Sequence, residues 1–293
     1  MNFAWLETRL KALRIPLAIC MPEEPEIVAA AKEASDLGYV DCLFVGNLDR
    51  MRAAISVAAP GFSPEMIAAS TEEEAATATV RLVREGRAKA LMKGVISTPK
   101  LLKAILNNET GIKKSSVLSH IFVFEYQGRF RLLTDGGMIP APTLAEKQEI
   151  LTNAVAVARR LGFEKPRVAI LSAVETVNAK MQCTVDAAIL AKMGERKQLG
   201  SCIVDGPLAL DNAISLESAH HKGLFNDVVG EAEILVCPDI DCGNILGKSI
   251  LYFTQFPTGG MIVGAQAPII LLSRSDTKEV RVNSIKLALA VGC

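Results

Sequence analysis

The 293-residue chain is half hydrophobic and carries 32 basic against 32 acidic side chains. That supply of apolar residues supports a large buried core in one or two domains. Balanced charge argues against a nucleic-acid surface, and the longest apolar runs, such as Met261 to Leu272, are too short and interrupted to span a membrane.

The chain opens with MNFAWLETRLKALRIPLAICMPEEP, which lacks the apolar core and small-residue cleavage site of a signal peptide. Within it, IPLAICMP reads as a strand. EIVAAAKEASDLG follows as a helix, with Ile27, Ala30, Ala31, Ala34 and Leu37 on one face and Gly38 as its stop. DCLFVG is the next strand, EEEAATATVRLVREG a helix and KALMKG a strand. STPKLLKAIL opens as a helix on Ser-Thr-Pro. SHIFVFEY and RFRLLTDG form a strand pair joined at Gln127-Gly128. Beyond Pro140-Ala-Pro142, a long helix carries Leu144, Leu151, Ala154, Val155, Ala158 and Leu161 on one face and stops at Gly162. RVAILSA, NAKMQCTVDAAILAKM, SCIVDGP, DNAISLESAHHKG, EILVCPD and GNILGKSILYFTQ continue the alternation. GGMIVGA and PIILLSR are paired apolar runs ahead of a last helix through Ile285 and Leu289.

Strand alternating with helix implies an α/β protein with mostly parallel, doubly wound sheets. There are more strands than one compact sheet needs, and the Pro140–Pro142 segment is the natural hinge between two α/β halves. Seven scattered cysteines, an odd number, fit reduced thiols and a cytoplasmic location. Open parallel sheets bind ligands beyond the carboxyl ends of their strands, so the residues just after strands are the ones to weigh.

Ser273-Arg274 follows PIILL and precedes a helix. Arginine there offers a planar fork to a phosphate, and a helix N-terminus adds free N–H groups. The competing reading is a surface arginine beside a capping box, Asp276-Thr-Lys-Glu279. In ILVCPDIDCGNILGKSI, Gly243-Asn244 lets backbone approach an anion, with Lys248 one turn on. The same stretch also fits a well-capped helix with no ligand. Lys93-Gly94 with Ser97-Thr98 is a cluster of donors between strand and helix, without the P-loop string. His120 starts a strand and can hydrogen-bond a ligand, whereas His220-His221 at a helix end reads as structural. Thr134-Asp135-Gly136-Gly137, Ser172 to Glu175, and Asp205-Gly206-Pro207 with Asp211 are the other strand ends. Cys237 and Cys242 have neither zinc spacing nor a CxxC pattern. No GxGxxG, GxSxG or HExxH string occurs.

Seven fragments in register, LMKGVIST, LSHIFVFE, LLTDGGMIPAPTLAEKQEI, PRVAILSAVETVN, VDGPLALDNAI, PDIDCGNILGKSILYF and GAQAPIILLSRSD, resemble the phosphate acetyl/butyryl transferase family, most clearly from Leu91 onward. The resemblance implies the reaction of acyl-CoA with phosphate to give acyl phosphate and coenzyme A. Both are substrates, and no bound cofactor or metal is expected. The butyryl-transferring branch is nearest and the acetyl-transferring branch second. Two α/β domains with an interdomain cleft, similar to isopropylmalate dehydrogenase, are implied. Residues 1–138 with 274–293 would form the first and 139–273 the second, in a homodimer or higher homo-oligomer with no nucleic-acid or membrane partner.

By the same resemblance, Arg274 binds phosphate or the developing oxyanion and Ser273 donates to the carbonyl oxygen. The aspartate that the family carries seven residues after that serine is Val280 here, which leaves Asp276 and Glu279 as acid/base candidates. Asp239, Gly243, Asn244 and Lys248 match the PDxxxGN…K motif, expected to face phosphate. Lys93, Gly94, Ser97, Thr98 and His120 complete the expected substrate contacts. Outside this class stand a metal- and NAD-dependent decarboxylating dehydrogenase on the related fold, drawing on Asp205, Asp211, Asp239 and Asp241, and a sensor that binds coenzyme A without turnover.

Overall fold

The computed structural model describes residues 1–271, 273 and 276–292. The chain forms two compact units, a central one of Met1–Asn2 with Ser116–Phe256 and a terminal one of Phe3–Ser115 with Pro257–Cys293.

The terminal unit begins α1 (Phe3–Leu10), β1 (Ile15–Cys20), α2 (Pro25–Asp36), β2 (Val40–Gly46), α3 (Leu48–Ala58), β3 (Glu65–Ala68), α4 (Glu72–Arg84), β4 (Ala90–Lys93) and α5 (Thr98–Ile105). The strands are apolar nearly throughout because helices cover both faces of a parallel sheet. Leu17, Ile19, Phe44, Leu91 and Met92 are fully buried. Caps set the helix starts. Asn47 accepts from the Asp49 and Arg50 amides at the head of α3, and Thr71 accepts from Glu74 at the head of α4. The sequence pattern did not mark α1, α3 or β3. In α3 only Met51, Ala54 and Ile55 are buried, and β3 spans four residues, so neither leaves a strong periodic signal.

The central unit follows: β5 (Ser119–Tyr126), β6 (Arg129–Thr134), α6 (Leu144–Arg160), β7 (Arg167–Leu171), α7 (Gln182–Glu195), β8 (Ile203–Leu208), α8 (Leu210–Ile214), α9 (Leu216–His221), β9 (Ile234–Val236) and α10 (Ile240–Phe253). Its sheet runs β5-β6-β9-β7-β8. Only the β5–β6 hairpin is antiparallel, turning at Gln127-Gly128 with φ of 51° and 71°, the left-handed values a tight hairpin needs. A capping box between Thr143 and Glu146 starts α6. Lys147 and Asp186 form a buried ion pair at 2.8 Å that joins α6 to α7. The expected helix DNAISLESAHHKG is two short ones. Ser215 is extended, at φ −127° and ψ 114°, and its side chain accepts from the Ser218 amide to restart the helix as α9.

The chain then returns to the terminal unit through β10 (Thr258–Val263), β11 (Ile269–Ile270) and α11 (Lys278–Gly292). The terminal sheet has the order β3-β2-β1-β4-β11-β10, parallel except for β10 against β11. Both changes of unit come earlier in the chain than residues 138 and 273. The outward change precedes β5 because the β5–β6 hairpin pairs with β9. The return precedes β10 because β10 pairs with β11 and packs on α11, where a methyl group on Gly259 would stand 2.9 Å from Leu287 Cδ1. Among the described residues, no helix is long and apolar enough to cross a membrane.

Candidate active site

In the terminal unit the strand order reverses direction at β1 and β4, where α/β sheets open a crevice beyond their strand ends. Here Gly94 passes so close under the end of β1 that any side chain would overlap the Met21 carbonyl oxygen. The Gly94 amide donates to Cys20 O at 2.7 Å and the Val95 amide to Met21 O at 3.0 Å. Lys93 thereby stands at the mouth of β4, with its Nζ donating to Gly94 O at 3.1 Å. Burial pushes the Cys20 thiol up to about 11, so it stays protonated at neutral pH and is no nucleophile.

Beyond β11, Ser273 joins this group. A cavity of about 40 Å³ is lined by Glu24, Ile27, Lys93, Gly94, Val95, Ser273 and Arg281. Three expected residues, Lys93, Gly94 and Ser273, are thus brought together. Ser97 caps α5 without a side-chain hydrogen bond, and Thr98 follows it, but neither lines this cavity. Arg274 lies outside the described residues.

The capping box at Asp276–Glu279, the competing reading of the sequence, does not form. Thr277 Oγ1 accepts from the Val280 amide at 3.3 Å and so caps α11 one residue later. The Asp276 carboxylate instead accepts from the Ser273 amide at 2.7 Å, while the Asp276 amide donates to Ser273 O at 3.1 Å. Both its backbone and its side chain are therefore used to shape the turn that carries Ser273. Glu279 is exposed in the first turn of α11.

In the central unit, a second group surrounds the start of α10. Asp239 is its cap, accepting from the Cys242 amide at 2.9 Å. Gly243 and Gly136 face each other so closely that a methyl group on Gly243 would stand 2.8 Å from Gly136 Cα. Asn244 Nδ2 donates to Gly136 O at 3.1 Å. These contacts dock the helix on the turn after β6, so the Gly-Asn pair already has a structural task. Lys248 is exposed, its Nζ 5.8 Å from the Tyr252 ring centre. The Cys242 thiol is held below its ordinary range by its hydrogen bond with Cys237, whose own thiol that bond and burial push up.

Asp135 organises this turn. Its Oδ1 accepts from the amides of His120 at 3.1 Å, Gly137 at 2.9 Å and Met138 at 3.1 Å, and its Oδ2 from Ile139 at 2.9 Å. His120 O accepts from Thr134 Oγ1 at 2.8 Å, and the His120 side chain packs against Gly137. Asp205 accepts from Asn226, and Asp211 pairs with Lys222 at 3.2 Å. Among the described residues, no three His, Cys, Asp or Glu side chains converge as a metal site.

Glu24, Arg281 and Asp135 carried no role in the sequence reading. Glu24 follows β1 in the run Pro22-Glu-Glu-Pro, and attention to that strand end finds it. Arg281 is signalled only by being charged on a helix whose neighbours, Val282 and Ile285, are buried.

Comparison with known proteins follows the same lines. A family model described as Phosphate acetyl/butaryl transferase matches residues 56–289. A phosphate butyryltransferase from Clostridium beijerinckii is 40% identical over 294 residues, covering 99% of this chain and 97% of its own length. A phosphate acetyltransferase from Rhizobium meliloti is 36% identical, covering 92% of this chain and 86% of its own. Among solved structures, a branched-chain phosphotransacylase from Enterococcus faecalis V583 superposes with a TM-score of 0.84 at 35% identity, covering 95% of this chain and 99% of that one.

Proposed function

The chain belongs to the phosphate acetyl/butaryl transferase family, and from that membership we propose that it moves a butyryl or similar short acyl group between coenzyme A and inorganic phosphate. The observation that carries the reading is the convergence of Lys93 and Ser273 beyond adjacent strand ends, in a chain 40% identical to a butyryltransferase. A phosphate oxygen attacks the thioester carbonyl, charge gathers on the carbonyl oxygen, and the tetrahedral adduct expels thiolate. A thiol pKa of roughly 8.5 makes thiolate a fair leaving group, so positioning and charge stabilisation do most of the work. Ser273 donates to the carbonyl oxygen, Arg274 binds phosphate, and Lys93 on Gly94 supports the negative charge. In the central unit, Asp239, Gly243, Asn244 and Lys248 lie along the first turns of α10, with His120 at the turn they dock on. The family motif supports a phosphate contact there, although the amides of Ile240, Cys242 and Gly243 are already bonded to Pro140 O, Asp239 Oδ1 and Asp239 O. The similarity to acetyltransferases supports acetyl as a second acyl group.

The first test is thiol release from butyryl-CoA with and without phosphate, repeated with acetyl-CoA. Phosphate-dependent release that is faster with butyryl-CoA is the expected result, and release indifferent to phosphate would sink the reading.

Asp276 acts in this scheme by shaping the Ser273 turn rather than by moving a proton. Asp276→Asn keeps an acceptor for the Ser273 amide and is expected to retain at least about a third of the turnover, whereas Asp276→Ala loses about tenfold or more. Equal losses in the two variants would restore Asp276 as an acid/base group. Glu279, exposed in the first turn of α11, remains the other acid/base candidate, and Glu279→Gln tests it by the pH dependence of turnover.

The enzyme works in this reading as a homodimer in the cytoplasm, where its free cysteines remain reduced. The outward face of α10 supports the dimer, with Ile245 66% and Phe253 87% exposed and Tyr252 beside them. A double change of Ile245 and Phe253 to aspartate is expected to halve the mass measured by light scattering. An unchanged mass would place the contact elsewhere.

A further inference from the structure

Arg281 is only 8% exposed, so its guanidinium has left water and must be held by polar partners. Its Nε donates to the Asp276 carbonyl at 3.2 Å. Asp276 in turn holds Ser273 through two hydrogen bonds, carboxylate to amide and amide to carbonyl. One chain of contacts therefore runs from the buried face of α11 to the serine of the Ser-Arg pair. Arg281 also lines the cavity shared by Lys93 and Ser273. Pinning Nε fixes the plane of the whole fork, which a lysine ammonium cannot reproduce.

We propose that Arg281 is a positioning residue for the acyl transfer: it locks the Ser273 turn through the Asp276 carbonyl and fixes a guanidinium on the cavity that Ser273 and Lys93 share. This rests on the acyl-transfer reading above. A helix anchor alone would need the Nε bond but would leave turnover untouched as long as the fold survived. A positioning residue affects the chemical step, because a misplacement of about 1 Å costs on the order of a hundredfold in rate.

The experiment compares wild type, Arg281→Lys, Asp276→Ala and the double variant, using butyryl-CoA and inorganic phosphate at a temperature where each is folded by circular dichroism. Arg281→Lys is expected to lose about tenfold or more in kcat while KM for butyryl-CoA stays within about twofold. The double variant is expected to lose little more than the worse single one, because both act on one turn. A kcat within about threefold of wild type, or losses that multiply in the double variant, would overturn the proposal. If Arg281→Lys does not fold, Arg281→Gln, which keeps a donor for the Asp276 carbonyl but removes the guanidinium, decides alone: a kcat within about threefold of wild type in that folded variant overturns the proposal, and a loss of about tenfold supports it. Wild type that releases no thiol in response to phosphate refutes the acyl-transfer reading itself and takes this proposal with it. Phosphate-dependent thiol release by wild type, with Arg281→Lys keeping its kcat, refutes the proposal alone.

Discussion

Asp135→Ala is expected to cost the central unit about 4 kcal/mol, the largest loss from any single change considered for this protein. Asp135 is 3% exposed, and its carboxylate accepts four backbone N–H groups, those of His120, Gly137, Met138 and Ile139. Alanine offers none of them an acceptor. Each buried donor left unpaired costs about 1–3 kcal/mol, and entering water recovers part of the total. Asparagine is a finer probe. Its carbonyl oxygen can replace Oδ1 for three of the amides, but its NH₂ then faces the Ile139 amide, so about half the loss is expected. Native-state hydrogen exchange at the β6 and β9 amides reads both values. A loss below about 1 kcal/mol for the alanine variant would mean that the turn does not depend on this carboxylate.

Two glycines one turn apart in α10 should respond in opposite ways. Gly243→Ala is expected to destabilise the unit by about 3 kcal/mol, because the new methyl group meets backbone atoms of Asp135 and Gly136 that cannot swing aside. Either the helix start lifts from the turn or the Asp135 bonds stretch. Gly247→Ala places its methyl group 3.7 Å from Leu133 Cδ2 and 3.9 Å from Phe122 Cδ1, ordinary contact distances. There the better helix propensity of alanine should stabilise the unit by about 0.5–1 kcal/mol. Exchange along α10 distinguishes the two. Similar losses at both positions would mean that the helix tolerates no added volume, rather than that one contact is tight.

Much of the fold was legible because buried parallel strands and amphipathic helices leave strong marks. The runs over Ile15–Cys20, Arg167–Leu171 and Leu144–Arg160 could be read directly. What escaped was local or long-range. Asp276 looked like a helix cap until the structure showed that Thr277 holds that place. Spacing alone cannot tell which of two adjacent polar residues turns back to the amides. Asp135 and Gly243 are 108 positions apart, and nothing in either stretch records that one packs on the other. Arg281 falls in the same class, since its partner, the Asp276 carbonyl, is a backbone atom that any residue would supply. Sequence pattern reports which side chains are buried far better than which backbone groups they serve.

The interrupted terminal unit has a consequence for how the protein is made. The central unit is a single stretch, Ser116–Phe256, joined by Met1–Asn2, so a growing chain presents nearly all of it before the chain returns to the terminal unit at Pro257. Strand β4, by contrast, pairs on one side with β11, whose residues follow the whole central unit in the chain. Until then, the β4 edge is an unpaired template ready to accept a foreign strand. The Ser273 turn is born at the same late moment as the strand that closes that edge. Active-site assembly and protection of the open edge are therefore one event, coming only after the central unit has been made.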